Sequence, residues 1–186
     1  MKIKNAVSGL PNANRLNMGL ADNLAAVFIA DKEVNGIDEL FIAFSDGSEI
    51  IKLSDTLVAR ANVAAFRISP DGIFVAYVAD QDTAGLFELY VVPVDKTTDE
   101  TAVKVSGTMA GNGILQLPSG KYVFGWAPDN SGVGYIADQD TITVEELFAS
   151  LPNGGNNTLL SGTLVSEGGN ALVQKISNIN GMASLG

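Results

Sequence analysis

The sequence contains no cysteine and no histidine. Without cysteine the chain has no disulfide, no thiolate nucleophile and no thiolate zinc site. Without histidine it has no Ser-His-Asp triad, no imidazole metal ligand and no histidine general base. Any catalysis would therefore rest on carboxylates, lysine or tyrosine.

Positive charge is scarce as well. The chain has 11 Lys and Arg residues against 21 Asp and Glu residues, which gives a net charge of −10. A surface of this sign repels phosphate backbones and anionic lipids. We therefore expect neither nucleic acid nor a membrane surface as a partner.

Long apolar runs are also absent. The longest, residues 24–30, is far shorter than the roughly 20 residues that a membrane-spanning helix needs. Residues 1–9 lack the apolar core of a secretory signal peptide. We expect a chain without membrane insertion, either mature after removal of a leader or part of a longer protein.

What the sequence does contain is a threefold repeat. One landmark is an aromatic residue followed by an apolar residue, Ala and Asp, at residues 28–31, 77–80 and 135–138. A second is an acidic-Leu-aromatic step at residues 39–41, 88–90 and 146–148. Both landmarks recur at the same spacing, 49 and then 58 residues. A period of roughly 50 residues is typical of propellers and other repeat architectures.

The middle repeat divides into four short segments of strand character. They are residues 65–68, 73–79, 87–92 and 103–105. The first ends in a Pro-Asp-Gly turn, and we expect Pro93 to stop the third. Residues 145–149 and 20–29 also contain good helix formers, but the equivalent positions in the other repeats are rich in Val, Tyr and Phe. The sequence thus predicts an all-β fold built from four-stranded antiparallel β-propeller blades.

Several strings of the middle repeat resemble a known family. Ile68-Ser69-Pro70-Asp71-Gly72, Val75-Ala76-Tyr77, Glu88-Leu89-Tyr90-Val91-Val92 and Val103-Lys104-Val105-Ser106-Gly107 look like the TolB-type, WD40-like (PD40) propeller repeat of bacterial proteins. The resemblance covers residues ~5–180 and is weaker in the first repeat, where Asp22-Asn23 lacks the preceding Pro. It implies a binding or interaction role in the periplasm or outside the cell. It identifies no catalytic residue.

The strand inventory predicts an incomplete propeller. We expect an outer strand of a preceding blade at ~1–9, blade 1 at ~10–56, blade 2 at ~57–108, blade 3 at ~114–163 and the first strand of a following blade at ~170–178. Closed propellers have at least about four blades. An open arc leaves apolar faces uncovered at its ends. We therefore expect a second copy, as a homodimer or larger oligomer joined arc to arc, unless the chain belongs to a longer propeller or an extended assembly.

Paired carboxylates in matching loops are the candidates for a metal site. They are Asp80 with Asp82, Asp138 with Asp140, and Asp31 with Glu33 in the first repeat. Calcium binds six to eight oxygen ligands, which such pairs could help to supply. The favoured interpretation is that these aspartates cap their own turns, because no EF-hand pattern is present. Calcium is thus a weak candidate, and we expect no other cofactor.

Three other features have a structural interpretation and a functional alternative. Asp71-Gly72 and Asp129-Asn130 indicate tight turns, with a ring of carboxylates at a channel mouth as the alternative. Trp126 aligns with Ile68, which favours a core position over a sugar-stacking platform. Tyr77 and Tyr135 align with each other, and we interpret them as packing between blades.

Two functions follow from these observations. The first is a non-enzymatic scaffold that binds another protein, a glycan or a second copy of itself. The alternative is a propeller enzyme, a glycosidase or lyase, that uses carboxylates on a polysaccharide. Convergence of carboxylates in one concave site would favour the enzyme, and even repetition around the blades would favour the scaffold.

Overall fold

The structure, a computed structural model, describes residues 15–21, 25–44, 47, 49–96 and 100–164. Within these ranges it contains twelve β-strands and no helix, and the strands form three four-stranded antiparallel sheets. In each sheet the strands are neighbours in chain order. This arrangement confirms the predicted all-β fold of propeller blades. The strands predicted at ~1–9 and ~170–178 lie outside the described residues.

Each sheet is one blade. Blade 1 contains β1 (Arg15–Ala21), β2 (Ala25–Ala30), β3 (Glu39–Phe44) and β4 (Ile50–Lys52). Blade 2 contains β5 (Val63–Ile68), β6 (Phe74–Ala79), β7 (Glu88–Pro93) and β8 (Val103–Lys104). Blade 3 contains β9 (Phe124–Trp126), β10 (Val133–Ala137), β11 (Glu146–Ser150) and β12 (Thr158–Leu159). None of the described segments is a helix long and apolar enough to cross a membrane.

Turn chemistry sets the hairpins between the first two strands of blades 2 and 3. In blade 2 the Gly72 N–H donates to the Ser69 carbonyl over 2.9 Å, and Gly72 has φ of 75°. Glycine adopts this left-handed conformation without steric cost. In blade 3 Asn130 occupies the corresponding turn with φ of 62°, a conformation that Asn tolerates better than most residues.

The third strand of blade 2 ends at Pro93, one residue after the predicted last residue, so the prediction that Pro93 stops this strand is confirmed. Pro93 is the last residue of β7 and pairs with Phe74, and the following Val94 N–H still donates to the Ile73 carbonyl. On its other side β7 pairs with β8 only at Tyr90 and Val91. Pro93 is not among the residues of β7 that pair with β8, so the backbone N–H that proline lacks is not needed for the pairing of these two strands.

The two faces of each sheet differ in composition. One face carries an aromatic pair on its two central strands: Phe28 with Phe41, Tyr77 with Tyr90, and Tyr135 with Phe148. The paired rings stack with centroids 5.3–5.7 Å apart. The opposite face carries aliphatic residues. This alternation follows from the period of two along a β-strand.

The hydrophobic core lies between blades. The aliphatic face of blade 1, with Leu40 and Leu53, packs against Tyr77 and Tyr90 of blade 2. The aliphatic face of blade 2, with Leu89 and Val105, packs in the same way against Tyr135 and Phe148 of blade 3. Tyr77 and Tyr135 thus pack between blades. Phe28 and Phe41 are the centre of a third buried cluster on blade 1.

An additional hairpin that the sequence did not predict precedes β9. Gln116 bridges to Tyr122, and the Leu117 N–H donates to the Lys121 carbonyl over 2.8 Å. The Tyr122 ring lies 5.2 Å from the Phe87 ring, which anchors the hairpin on blade 2.

The aliphatic face of blade 3 is exposed at its outer edge, although Ile136 on the same face is only 1% exposed. Leu53, Val105 and Leu160 occupy equivalent positions directly after the outer strands of the three blades. Leu53 is 0% exposed and Val105 1%, whereas Leu160 is 57% exposed. The difference arises because a following blade covers the first two positions, and no described residue covers the third.

Replacing two leucines at equivalent positions therefore tests the blade arrangement. We expect Leu53→Ala to lower the free energy of unfolding by about 2–5 kcal/mol, because it opens a cavity between blades 1 and 2. Leu160→Ala is expected to change it by no more than about 0.5 kcal/mol. Urea unfolding at a protein concentration low enough to exclude association measures both values. Equal costs at the two positions would contradict the arrangement.

Candidate functional site

The calcium candidates Asp80 and Asp138 are buried and hydrogen-bonded to backbone amides. The Asp80 carboxylate accepts the N–H of Asn62 at 2.5 Å and that of Gly85 at 2.7 Å. The Asp138 carboxylate accepts the N–H of Asn112 at 2.8 Å and that of Gly113 at 2.9 Å. Each aspartate thus fastens its strand to the segment that leads into the inner part of its own blade. Binding a calcium ion would compete with these bonds.

The remaining loop carboxylates do not gather around a common point. Asp82 pairs with Lys104 at 3.2 Å and Glu33 with Lys52 at 2.7 Å, while Asp140 is exposed. In blade 1 the Oδ1 atom of Asp31 has no hydrogen-bond partner in the described part of the chain. Among the described residues, no three Asp or Glu side chains come together in a way that could hold a metal ion.

A buried glutamate begins the third strand of every blade. Glu39, Glu88 and Glu146 are each 2–3% exposed. Lys52 lies 3.1 Å from Glu39, and Lys104 lies 3.1 Å from Glu88. In blade 3 the position of these lysines is occupied by Leu159, and Glu146 accepts the Leu164 N–H instead. The acidic step is a landmark of the repeat in the sequence, but its spacing did not indicate these ion pairs.

The ion pairs raise the pKa of both lysines. Burial alone would lower the pKa of Lys52 and of Lys104, since it disfavours the charged ammonium. Hydrogen bonds and charge from Glu33 and Glu39, and from Glu88 and Asp82, outweigh that effect. In the folded protein both lysines therefore remain protonated to a higher pH than an ordinary lysine side chain.

One hydroxyl distinguishes the glutamate of blade 2 from that of blade 1. The Tyr90 hydroxyl donates to the Oε2 atom of Glu88 over 3.2 Å. In blade 1 Phe41 stands at the position of Tyr90, and the Oε2 atom of Glu39 is buried without a hydrogen-bond partner among the described residues. The unsatisfied atom is explained by this single missing hydroxyl.

A serine closes the outer edge of each blade. The Oγ atoms of Ser54, Ser106 and Ser161 accept the backbone N–H of the leucine at the second position of the third strand, at 3.1–3.2 Å. The N–H of each serine in turn donates to the carbonyl of the same leucine. This bonding is identical in the three blades, which marks these serines as architectural.

Blades 1 and 2 are joined by an ionic link. Lys96 of blade 2 is 7% exposed and donates to the Leu53 carbonyl at 2.9 Å and to Asp55 at 2.7 Å. The second carboxylate oxygen of Asp55 accepts the Ala102 N–H. The Tyr77 hydroxyl, which donates to Gln81, is also bonded to the backbone of Asp55.

Blades 2 and 3 are joined at the equivalent place by neutral groups. Asn157 of blade 3 donates to the Val105 carbonyl at 2.9 Å and to the Tyr135 hydroxyl at 2.6 Å. The Gly107 N–H donates to the Oε1 atom of Gln139 at 2.8 Å. A side chain at position 107 would collide with Gln139, because a Cβ atom there would lie 2.6 Å from it. Glycine at this position thus lets the carboxamide approach.

The turn residues that the sequence singled out lie on the rim where inner and second strands meet. Asp71 accepts the Ser69 hydroxyl and the Ile73 N–H, and these bonds lower its pKa. Asp129 bonds to Ser131 in the same way, and its pKa is also lowered. Asn130 accepts the Asp71 N–H, which connects the turns of two blades. These contacts are those of turn chemistry.

Trp126 is half-buried on the inner strand of blade 3. Its ring packs on Phe74 with centroids 6.4 Å apart, and its Nε1–H donates to the Arg67 carbonyl at 3.0 Å. The indole thus packs against blade 2, and its polar group already has a partner.

A cleft of about 510 Å³ lies between blades 1 and 2. Four carboxylates line it: Glu33, Glu49, Asp55 and Glu100. Lys52 and Lys96 also line it and bond to Glu33 and Asp55 respectively. Of the residues proposed from the sequence, only Glu33 lies here.

Comparison with known proteins finds similar structures but no matching family. No family model and no curated protein matches the chain. It is similar to the crystal structure of TolB from Acinetobacter baumannii, at 14% identity and a TM-score of 0.49 over 81% of this chain and 34% of that one. It is also similar to a prolyl endopeptidase, at 13% identity and a TM-score of 0.49 over 85% of this chain and 26% of that one. The chain thus spans about a third or less of these two proteins, and the similarity carries no information on function.

Removing the tyrosine hydroxyl beside the buried glutamate of blade 2, and adding one at the equivalent position of blade 1, tests whether that hydroxyl satisfies the glutamate. We expect Tyr90→Phe to lower the free energy of unfolding by about 1–3 kcal/mol, because the Oε2 atom of Glu88 loses a donor. Phe41→Tyr should raise it by up to about 1 kcal/mol, because the new hydroxyl can reach Glu39. Both values follow from urea unfolding. A neutral Tyr90→Phe together with a destabilising Phe41→Tyr would show that the hydroxyl does not have this role.

Alkaline pH should destabilise the protein. Burial raises the pKa of the Tyr77, Tyr90 and Tyr135 phenols above 10.0, as the glutamate pairs raise that of the lysines. For each of these groups the pKa in the folded protein exceeds the pKa in the unfolded chain. The stability that such a group contributes is therefore fully present below pH about 10 and is lost as the pH rises through the folded-state pKa. We expect phenolate absorbance at 295 nm from these three tyrosines to appear together with the loss of the β-sheet circular dichroism signal.

The matched control is Tyr77→Phe. Because this variant has one buried tyrosine fewer, the rise in absorbance at 295 nm that accompanies unfolding should be smaller by one phenolate. Ionisation of three of the four tyrosines near pH 10 with intact sheets would contradict the burial described here.

Proposed function

We propose that the chain is a non-enzymatic β-propeller segment that acts as a scaffold for binding another polypeptide, either a partner protein or a second copy of itself. We further propose a periplasmic or extracellular location, in keeping with the resemblance of its repeats. A glycan remains an alternative ligand of the same scaffold. Metal ions and other cofactors have no part in this proposal.

The observation that carries the proposal is how the repeated polar side chains are used. Asp80 and Asp138 bond to backbone amides, Glu39 and Glu88 bond to lysines, and the three serines bond to strand backbone at equivalent places. Carboxylates that serve acid–base catalysis on a glycoside stand as a pair across a substrate site. Here the repeated carboxylates bond to groups within their own blades, which favours architecture over catalysis.

The alternative of a carboxylate-based polysaccharide enzyme has one specific site in its favour. The cleft between blades 1 and 2 is the place where carboxylates from two blades gather, among them Glu33 and Glu100. Its two lysines are engaged with carboxylates of the cleft wall. A glycosidase or lyase would have to use this cleft.

An activity screen separates the two functions. The full chain is incubated with neutral and acidic polysaccharides, and reducing ends and unsaturated products are measured. We expect no turnover above the level of Glu33→Gln and Glu100→Gln variants. Turnover by the wild type that either substitution abolishes would overturn the scaffold proposal and establish the enzyme.

A further inference from the structure

Three asparagines in the described part of the chain are directly followed by glycine: Asn35, Asn112 and Asn153. In such a pair the backbone nitrogen of the glycine can attack the carbonyl carbon of the asparagine side chain, because glycine has no side chain that hinders the approach. The attack requires an accessible asparagine and a glycine N–H that is not held in a hydrogen bond. Pairs of identical sequence therefore differ in reactivity according to their surroundings.

Two of the three glycines have an N–H that is already bonded. Gly113 is buried, and its N–H donates to the Asp138 carboxylate at 2.9 Å. The Gly154 N–H donates to the Leu151 carbonyl at 3.0 Å. The Oδ1 atom of Asn153 also accepts a backbone N–H, at 3.0 Å. In both pairs a hydrogen bond must break before the nitrogen can reach the asparagine side chain.

The pair Asn35-Gly36 is different. Both residues are exposed and lie at the centre of a turn that the Ile37 N–H closes by donating to the Val34 carbonyl at 3.0 Å. Gly36 has φ of 79°, and a Cβ atom at this position would meet nothing within 4 Å. Among the described residues the Gly36 N–H has no hydrogen-bond acceptor. Its nitrogen is therefore available for attack on the asparagine.

The equivalent turn of blade 2 has the same geometry but a bonded glycine. There the Leu86 N–H donates to the Thr83 carbonyl at 2.9 Å, and Gly85 has φ of 87°. The Gly85 N–H donates to the Asp80 carboxylate at 2.7 Å. In blade 1 Asp31 stands at the position of Asp80, and its Oδ1 atom has no hydrogen-bond partner in the described part of the chain. The bond that holds the glycine in blade 2 is thus not made by the described residues of blade 1.

From these observations we propose that Asn35 is a site of spontaneous deamidation and isoaspartate formation. The Gly36 nitrogen forms a bond to the Cγ atom of Asn35, the Cγ–Nδ2 bond breaks, and ammonia leaves with the proton of the Gly36 N–H. Water then opens the succinimide ring at one of its two carbonyl carbons, which gives aspartate or isoaspartate.

Either product adds a negative charge to the exposed loop between β2 and β3. Isoaspartate also adds a methylene group to the backbone of the turn. The modification requires water and no protein partner, so it goes beyond the scaffold function and does not depend on it.

Peptide mapping by mass spectrometry tests the site. The full folded chain is kept for several weeks at mildly alkaline pH and then digested, and the isoaspartyl and aspartyl peptides are separated by chromatography. We expect Asn35 to react at least about tenfold faster than Asn112 and Asn153, because one hydrogen bond that must first break corresponds to about that factor in rate. Similar rates at the three asparagines would overturn the proposal.

Ala84→Asn provides a closely matched comparison, because it creates an Asn-Gly pair in the turn where Asp80 holds the Gly85 N–H. Since Ala84 is exposed, the circular dichroism and thermal unfolding of the variant should match those of the wild type. In the folded protein we expect the introduced asparagine to react at least about tenfold more slowly than Asn35. If it reacts as fast as Asn35, the free N–H of Gly36 is not the cause and the proposal fails.

The same measurement in guanidinium chloride separates the effect of structure from that of sequence. The unfolded chain has lost the hydrogen bonds of all these glycines, so we expect Asn35 and the introduced asparagine to react at similar rates. A rate advantage of Asn35 that persists unchanged in the unfolded chain would assign its reactivity to neighbouring residues and would contradict the structural argument.

Discussion

The fold depends on the burial of one sheet face against the next. Each blade has an aromatic face and an aliphatic face, and neither the Tyr77–Tyr90 pair nor the Leu40–Leu53 surface is buried until the two meet. A four-stranded sheet of this kind has no core of its own, so its apolar area leaves water only through its neighbours. Each described blade is thus stabilised by its neighbour, and no described residue covers Leu160 of blade 3.

Polar groups fix the order and spacing of the blades that the apolar faces bring together. Lys96 and Asn157 perform the same task at successive interfaces, each donating to the carbonyl of the apolar residue after the preceding outer strand. One link is ionic and the other neutral, so a charged and an uncharged donor occupy equivalent places. Buried carbonyls require a partner, and several donor types can supply one.

Part of the fold and of the site follows from repetition in the sequence. Three copies of one pattern are enough to identify strands, turns and aromatic packing positions, because each copy must satisfy the same neighbours. The hairpin at residues 114–122 was not predictable, since it is not shared between the repeats. The ion pairs of Glu39 and Glu88 were also missed, because the lysine partners lie 13 and 16 residues further along the chain.

The sequence by itself determined the strand pattern, the blade class and the excess of negative charge, because these depend on residue type and local spacing. Only the tertiary structure decided which carboxylates are used within the blades and which line a cleft. It also decided that Leu160 is exposed although Leu53, the same residue at the same place in its repeat, is buried. The physical reason is that burial depends on what lies opposite a side chain, which the pattern within one repeat does not encode.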